Sequence, residues 1–144
     1  MNVRVSRIDK SLPLPEYQTK GAVAFDFITR ETTVIEPKSI ALVPGNLVVE
    51  IPEGYMLVVA SRSSTPRRKN LFIPHGFGII DNDHCGPEDE IRVQVYNNSN
   101  KEVTVEKGER IAQGLFVRVD KAKLIESDLS HNKTRGQFGS TGEK

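Results

Sequence analysis

Two carboxylates, an imidazole and a thiol crowd one short stretch, Gly78-Ile79-Ile80-Asp81-Asn82-Asp83-His84-Cys85-Gly86. Branched apolar residues run directly into Asp81, and the stretch stands between two runs that read as β-strands. Asn, Asp and Gly are also ordinary hairpin punctuation, so the turn by itself reads equally well as a solvated loop. Elsewhere the chemistry is that of anion binding. Arg62-Ser63-Ser64 follows a strand-like run and opens a candidate helix. Free N–H groups at a helix start, with an adjacent guanidinium, can seat a phosphate; the same residues also read as a surface arginine and a helix cap. In Arg110-Ile111-Ala112-Gln113 the glutamine amide can donate to a phosphate oxygen, although a structural glutamine explains it more simply. Near the end, Arg135-Gly136-Gln137-Phe138-Gly139-Ser140-Thr141-Gly142 combines a cation, a flat ring, two hydroxyls and three glycines. That stretch could close over an anionic, aromatic ligand, where an ordinary polar terminus would fray.

The elements that must position these groups follow from composition and period. At 144 residues the chain fits one domain able to bury a core without staples. Charge is balanced, 20 Lys plus Arg against 19 Asp plus Glu, which excludes a global basic field for nucleic acid or an anionic membrane. Any bound anion must be held by local groups. The single cysteine, Cys85, excludes an internal disulfide framework and multi-cysteine metal sites, and suits a reducing compartment. His75, His84 and His131 lack metal-ligand spacing. The start, Met1-Asn2-Val3-Arg4-Val5-Ser6-Arg7, lacks the apolar core of a signal peptide, and no apolar run reaches the length of a membrane span. A soluble, cytoplasmic protein without nucleic-acid or membrane partners is expected.

Short runs rich in branched and aromatic residues recur at Val3–Val5, Ala22–Ile28, Thr32–Ile35, Ile40–Val43, Leu47–Ile51, Tyr55–Ala60, Ile91–Tyr96, Val103–Val105 and Ile111–Val119. Several alternate with period two, and Pro, Gly and Asn fill the gaps. The pattern predicts an all-β sandwich or jelly roll, since a small domain must pair or cover its sheet edges. One short helix is expected over Ser63–Lys69, with hydroxyl caps before Pro66 and with Arg67, Arg68 and Lys69 on a solvated face. Residues 128–144 change character and read as a polar arm following a β domain of residues 1–127.

Taken together, Asp26 in Gly21-Ala22-Val23-Ala24-Phe25-Asp26-Phe27, then Arg62-Ser63-Ser64, the Asp81 turn, Arg110–Gln113 and the Arg135–Gly142 tail resemble, in order and spacing, the five motifs of the homotrimeric deoxyuridine triphosphatases (dUTPases). The resemblance spans nearly the whole chain and implies a distorted jelly-roll β-barrel with one short helix and a flexible C-terminal arm that closes over the active site. It further implies a trimer with active sites at subunit interfaces and Mg2+-assisted hydrolysis of dUTP to dUMP and pyrophosphate. On it, Asp81 matches the carboxylate that activates the attacking water. Asp26 matches an acid near the water shell of the metal. Arg62, Ser63, Ser64 and Gln113 match phosphate-binding positions, and Arg135 the arginine that reaches the γ-phosphate. Ser140 and Thr141 match the residues that close over the phosphates, and Phe138 the ring that stacks on uracil. Backbone groups of the acidic hairpin, at Gly78 and Ile80, would read the base, with His75 where some relatives place an asparagine.

The chain also departs from the family pattern. Alanine, Ala24, stands in the first motif where glycine is common, and His84 stands where tyrosine packs against deoxyribose. Pro87-Glu88-Asp89 lengthens the acidic turn, and this reads as decoration of a hairpin tip. Only Gly136 and Gln137 separate Arg135 from Phe138, a shorter spacing than the family usually has. Imidazole is smaller than phenol and titrates near neutral pH, so His84 is expected to discriminate less against UTP. A pyrophosphatase of relaxed base or sugar choice is therefore an alternative reading. The related dCTP deaminases share an Arg-Ser-Ser motif but use a glutamate as proton shuttle where this chain has Gln94, which argues against deamination. A non-catalytic scaffold is disfavoured by the retained Asp81, Arg62, Gln113 and Phe138.

Overall fold

The computed structural model describes residues 1–136. Among them the chain forms eleven strands and one short helix: β1 (Arg4–Arg7), β2 (Phe25–Asp26), β3 (Thr33–Ile35), β4 (Ile40–Pro44), β5 (Leu47–Glu50), β6 (Tyr55–Ser61), α1 (Thr65–Lys69), β7 (Leu71–Phe72), β8 (Gly78–Ile80), β9 (Arg92–Asn97), β10 (Val103–Val105) and β11 (Ala112–Arg118). Every strand pairing is antiparallel. The chain is all-β, as the alternation predicts.

The largest ladder joins β6 to β11 over seven residue pairs, from Ala112 opposite Ser61 to Arg118 opposite Tyr55. β2 adds to the free edge of β11 and β8 to that of β6, giving the order β2-β11-β6-β8. A second sheet has the order β4-β9-β7, and the pairs β1-β5 and β10-β3 complete the shell. Alternation places Leu57 and Val59 of β6, Ala112 of β11 and Val93 and Val95 of β9 inward, where they meet Phe25, Phe27, Ile35, Val43, Val49, Leu71 and Ile91 in one buried cluster. The segment Ala22–Ile28 reads as a strand, but only Phe25–Asp26 enters a ladder. Val23 is 77% exposed, and after Asp26 the chain stays extended through Phe27 N–H to Ala112 O and Thr29 N–H to Glu109 O.

The structure corrects the hairpin. β8 pairs with β6, whereas β9 pairs with β4 and β7. Residues 81–91 therefore cross from one sheet to another. Their far end is clamped: Arg30 donates to both oxygens of Glu90 at 2.8 and 3.1 Å, and Asn46 N–H donates to Glu90 Oε1 at 3.0 Å. The Glu90 side chain is 7% exposed, and its hydrogen bonds hold the Arg30 guanidinium firmly charged.

The helix also departs from expectation at its start. Ser64 sits at the N-cap in right-handed geometry without a side-chain cap bond. Thr65 anchors this end instead, its buried hydroxyl donating to Ile111 O at 2.8 Å. Asn70, left-handed at φ 54°, ends the helix. Lys69 is not simply solvated, since its ammonium reaches Glu109 and Thr104 O, each at 2.8 Å. Beyond Val119, whose N–H bonds Gly54 O, the chain runs without strand or helix to Gly136, with Leu124 93% exposed.

Two predictions concern the framework. Asn97 is fully buried; its amide donates to Ile35 O, Glu36 O and Lys101 O, and its oxygen accepts from Ser99. Asn97→Ala strands those carbonyls and is expected to cost about 3 kcal/mol, read by urea unfolding. Separately, Lys107 and Ser11 hold the Asp9 carboxyl well below the usual carboxylate range. A carboxyl depressed in the folded state stabilises above its unfolded value, about pH 4, and loses that contribution as pH falls further. The melting temperature of Asp9→Asn should therefore lie below that of the parent at neutral pH, with the gap closing on acidification below about pH 4.

Candidate active site

Asp26 is the buried charge around which one centre is built. The β2–β11 register sets it opposite Gln113, and its side chain is 11% exposed. An isolated carboxylate there would cost several kcal/mol in lost solvation. Two guanidiniums offset that cost: Arg62 Nε lies 2.9 Å from Oδ1, and Arg110 Nη1 lies 3.3 Å from Oδ2. Arg62 Nη1 also donates to Arg110 O at 2.9 Å, and Arg62 N–H donates to Ile111 O at 3.3 Å. Two cations share one anion, so the cluster keeps a positive excess suited to phosphate. Gln113 Nε2 donates to Ser61 O at 3.1 Å, which fixes the amide at the end of β6. Ser63 is exposed and Ser64 half-buried beside this group.

Arg110 was visible in the sequence only as a strand residue, yet it is half of the clamp on Asp26. Asp26 and Arg110 also line a cavity of about 290 Å³ whose other wall is the segment Leu12–Gln18, including Pro13, Leu14 and Glu16. The Leu12-Pro13-Leu14-Pro15 run was the available signal for that wall; its prolines hold an extended backbone.

A second centre lies at the other end of β6. Ile80 pairs with Leu57, and Asp81 follows, exposed, at the rim of a recess of about 340 Å³ lined by Ile79, Ile80, Asp81, Asp83, His84 and Asp89. His84 N–H donates to Asp81 O at 3.3 Å, which forms the turn. His75 is exposed; Gly78 is in β8 opposite Val59, where an added Cβ would stand 3.4 Å from Val59 Cβ and 3.7 Å from His75 Nε2.

The structure gathers Asp26, Arg62 and Gln113 around the end of β6 and gathers Ile80, Asp81 and His84 around the recess. It does not bring the two sets together in one chain. From Leu57 to Arg62 is five residues of extended chain, roughly 17 Å, and Asp81 lies past the Leu57 end. Arg135 is exposed at the end of the described chain, and Phe138, Ser140 and Thr141 lie outside the described residues.

Residues 10–142 match the dUTPase family model. The chain belongs to the dUTPase family. It is similar to the deoxyuridine 5'-triphosphate nucleotidohydrolase of Hydrogenobaculum sp. (strain Y04AAS1), 39% identical over 147 residues with all of both chains covered. Among solved structures it is similar to the dUTPase from Streptococcus mutans, at 31% identity and TM-score 0.74, covering 85% of this chain and 98% of that one. It also shares its fold with a single-substitution mutant of the Staphylococcus bacteriophage 80alpha dUTPase with dUpNHpp, at 24% identity and TM-score 0.85 over 98% of each chain.

For a dUTPase, the donor set bears on Mg2+. Among the described residues no group of three or more His, Cys, Asp or Glu could hold a metal ion. Mg2+ usually keeps several waters and is bound by one or two carboxylates plus substrate phosphates. The two guanidiniums use two of the roughly four lone-pair sites on the Asp26 carboxylate, which leaves acceptors for a metal-bound water. The residues present thus fit a metal held chiefly by the nucleotide.

Placement of Asp26 depends on Gly114, which faces Phe25 across the β2–β11 ladder. A Cβ on Gly114 would stand 2.8 Å from Phe25 Cζ and 2.9 Å from Phe27 Cε2. Gly114→Ala is expected to cost about 1–3 kcal/mol and, by displacing the residue before Asp26, to weaken nucleotide binding. Urea unfolding and calorimetric titration with a non-hydrolysable dUTP analogue check the two effects.

Proposed function

We propose that the protein hydrolyses dUTP to dUMP and pyrophosphate in a site completed between subunits of a homotrimer. The reading is carried by the exposed Asp81 carboxylate on the rim of a recess, in a chain that matches the dUTPase family over residues 10–142. Asp81 accepts a proton from water, the resulting hydroxide attacks the α-phosphorus, and the bond to the bridging α–β oxygen breaks. Pyrophosphate leaves with that oxygen. Arg62, Ser63, Ser64 and Gln113 hold the phosphates, with Arg135, Ser140 and Thr141 closing over them from the arm of residues 128–144. Phe138 stacks on uracil, while His75, Gly78, Ile80 and His84 bound the base and sugar. Asp26 would face the water shell of a Mg2+ carried by the triphosphate, and that ion would supply neutralisation of phosphate charge.

The separation along β6 supports a shared site. The attacking oxygen must come within about 3–3.5 Å of phosphorus, so an Asp81 and an Arg62 that serve one phosphate chain belong to different subunits. The outer face of the large sheet also needs a cover. Met56, Val58 and Ala60 of β6 stand opposite Val117, Leu115 and Gln113 of β11, and Ile79 of β8, 55% exposed, stands opposite Val58. These residues alternate away from the core, and all but Gln113 form an apolar stripe of the kind that subunit contacts bury. Among the described residues no helix is long and apolar enough to cross a membrane. His84 in place of tyrosine favours relaxed sugar choice as the second reading.

Asp81→Asn is expected to lower kcat for dUTP by about 10²–10⁴-fold while KM changes little, because it removes the base and keeps the shape. Pyrophosphate release from dUTP, UTP, dTTP and dCTP with Mg2+ measures both this and the order of substrates. Absence of release from any of them would turn the reading toward a scaffold, and ammonia release from dCTP would turn it toward a deaminase. Light scattering should give three times the 16.1 kDa chain mass.

A further inference from the structure

Two charged surfaces of opposite sign have no partner within the chain. Arg67 and Arg68 are exposed in the last turn of α1, and Glu88 is exposed at the tip of the acidic loop. Among the described residues none of these three side chains makes an ion pair. The helix that carries the cations is a firm platform, since the Thr65 hydroxyl ties its start to Ile111 O and Lys69 ties its end to Glu109 and Thr104 O. The loop is held differently. Between Asp81 and Asp89 its hydrogen bonds stay inside it: His84 N–H to Asp81 O, Gly86 N–H to Asp89 Oδ2 at 2.7 Å, and Asp89 N–H back to Gly86 O at 3.0 Å. That closed turn, stiffened by Pro87, presents Glu88 outward, and among the described residues no hydrogen bond ties it to another element of its own chain.

We infer that the Pro87-Glu88 tip of one copy docks on the end of α1 in the next, with Glu88 pairing to Arg67 and Arg68, and that this contact steadies the shared site. The inference rests on the trimer reading above. Arg68 N–H donates to Ser64 O at 2.9 Å, so Arg68 stands one helical turn, about 5.4 Å along the axis, beyond a serine of the phosphate seat. Glu88 lies inside the turn that Gly86 and Asp89 close, and Asp89 lines the same recess as Asp81. A copy that turns Asp81 toward a phosphate chain held by a neighbour's Arg62 and Ser64 therefore carries Glu88 toward that neighbour's Arg68. Within one chain the loop follows the Leu57 end of β6 and the helix follows its Arg62 end, so the pairing runs between copies. A head-to-tail contact of this kind closes when each of three copies gives one tip and receives one. Opposite charges across it favour that register over tip against tip or helix against helix. The segment that lengthens the turn thus supplies reach, and Arg67-Arg68 is the surface it reaches.

The test compares the parent with Glu88→Arg, with Arg67→Glu plus Arg68→Glu, and with all three changes together, following mass by light scattering on dilution at low and high salt. At low salt each reversal alone is expected to raise the concentration at which the trimer dissociates at least about tenfold, and the combination to return it to within about threefold of the parent. High salt should shrink these differences. In a Cys85→Ser background, Glu88→Cys with Arg68→Cys should let a short bismaleimide join separate chains, while neither cysteine alone should; this reads the contact whether or not the parent dissociates on dilution. Cross-linking no greater than in the single-cysteine proteins overturns the inference, as does a combined reversal no better than its parts. So does a raised KM for dUTP in the Arg67→Glu, Arg68→Glu protein with dissociation unchanged, which would give the arginines to the nucleotide. If the parent scatters as a single 16.1 kDa chain, the trimer reading fails and the inference with it; a parent trimer without the cross-link sinks the inference alone.

Discussion

The β6–β11 ladder is the constraint on which the rest of the molecule depends. Its seven pairs fix one long central ribbon, and both halves of the candidate chemistry hang on its edges. β2 adds to β11 and thereby sets Asp26 opposite Gln113, while β8 adds to β6 and sets Ile80, and so Asp81, beside Leu57. A slip of one residue in either pairing would turn every side chain of the moving strand to the other face. The glycine at position 114 belongs to the same constraint, since only a bare Cα lets Phe25 and Phe27 pack against the ribbon.

A second constraint acts on the acidic loop. Because β8 and β9 lie in different sheets, residues 81–91 lack the ladder that holds a hairpin together. Point contacts replace it. At the far end Glu90 is locked by Arg30 and by the backbone of Asn46, and Asn46, left-handed at φ 63° and buried, exchanges hydrogen bonds with Asp9. Between those anchors and β8 the loop is organised by its own turn, Gly86 to Asp89. The loop thus stands on a rigid foot, with a tip whose hydrogen bonds are local.

How much of this was legible in the sequence depends on the range of the interaction. Period-two alternation located most of the strands, because burial on one face is a local pattern; Val103–Val105 was found with its observed bounds. Pairing was not legible, since which strand receives β8 depends on contacts far along the chain. The hairpin reading failed for that reason. Leu71–Phe72 was missed because two residues carry no period, and Ala22–Val23 was overread because apolar character does not distinguish a strand from an exposed approach to one. Lys69 looked like a solvated cation and Arg110 like one more strand residue, yet each is engaged by a partner that only the fold delivers, Glu109 and Asp26 respectively. Asp26, Arg62 and Gln113, by contrast, could be picked out from residue type and order, and they do converge.

The division of charge between the two centres gives the strongest physical reason to expect a shared site. Around Asp26 two guanidiniums outnumber one carboxylate, whereas the recess carries Asp81, Asp83 and Asp89 against the single imidazole of His84. A triphosphate would be repelled by the second centre and attracted by the first, and a base that must take a proton from water gains nothing from being masked by a guanidinium of its own chain. Keeping the candidate base and the candidate phosphate seat at opposite ends of β6 leaves each in its own field, and the proposed trimer would set them face to face. Such an assembly would bring acid to cation across the contact, where opposite charges orient the partners as well as the substrate.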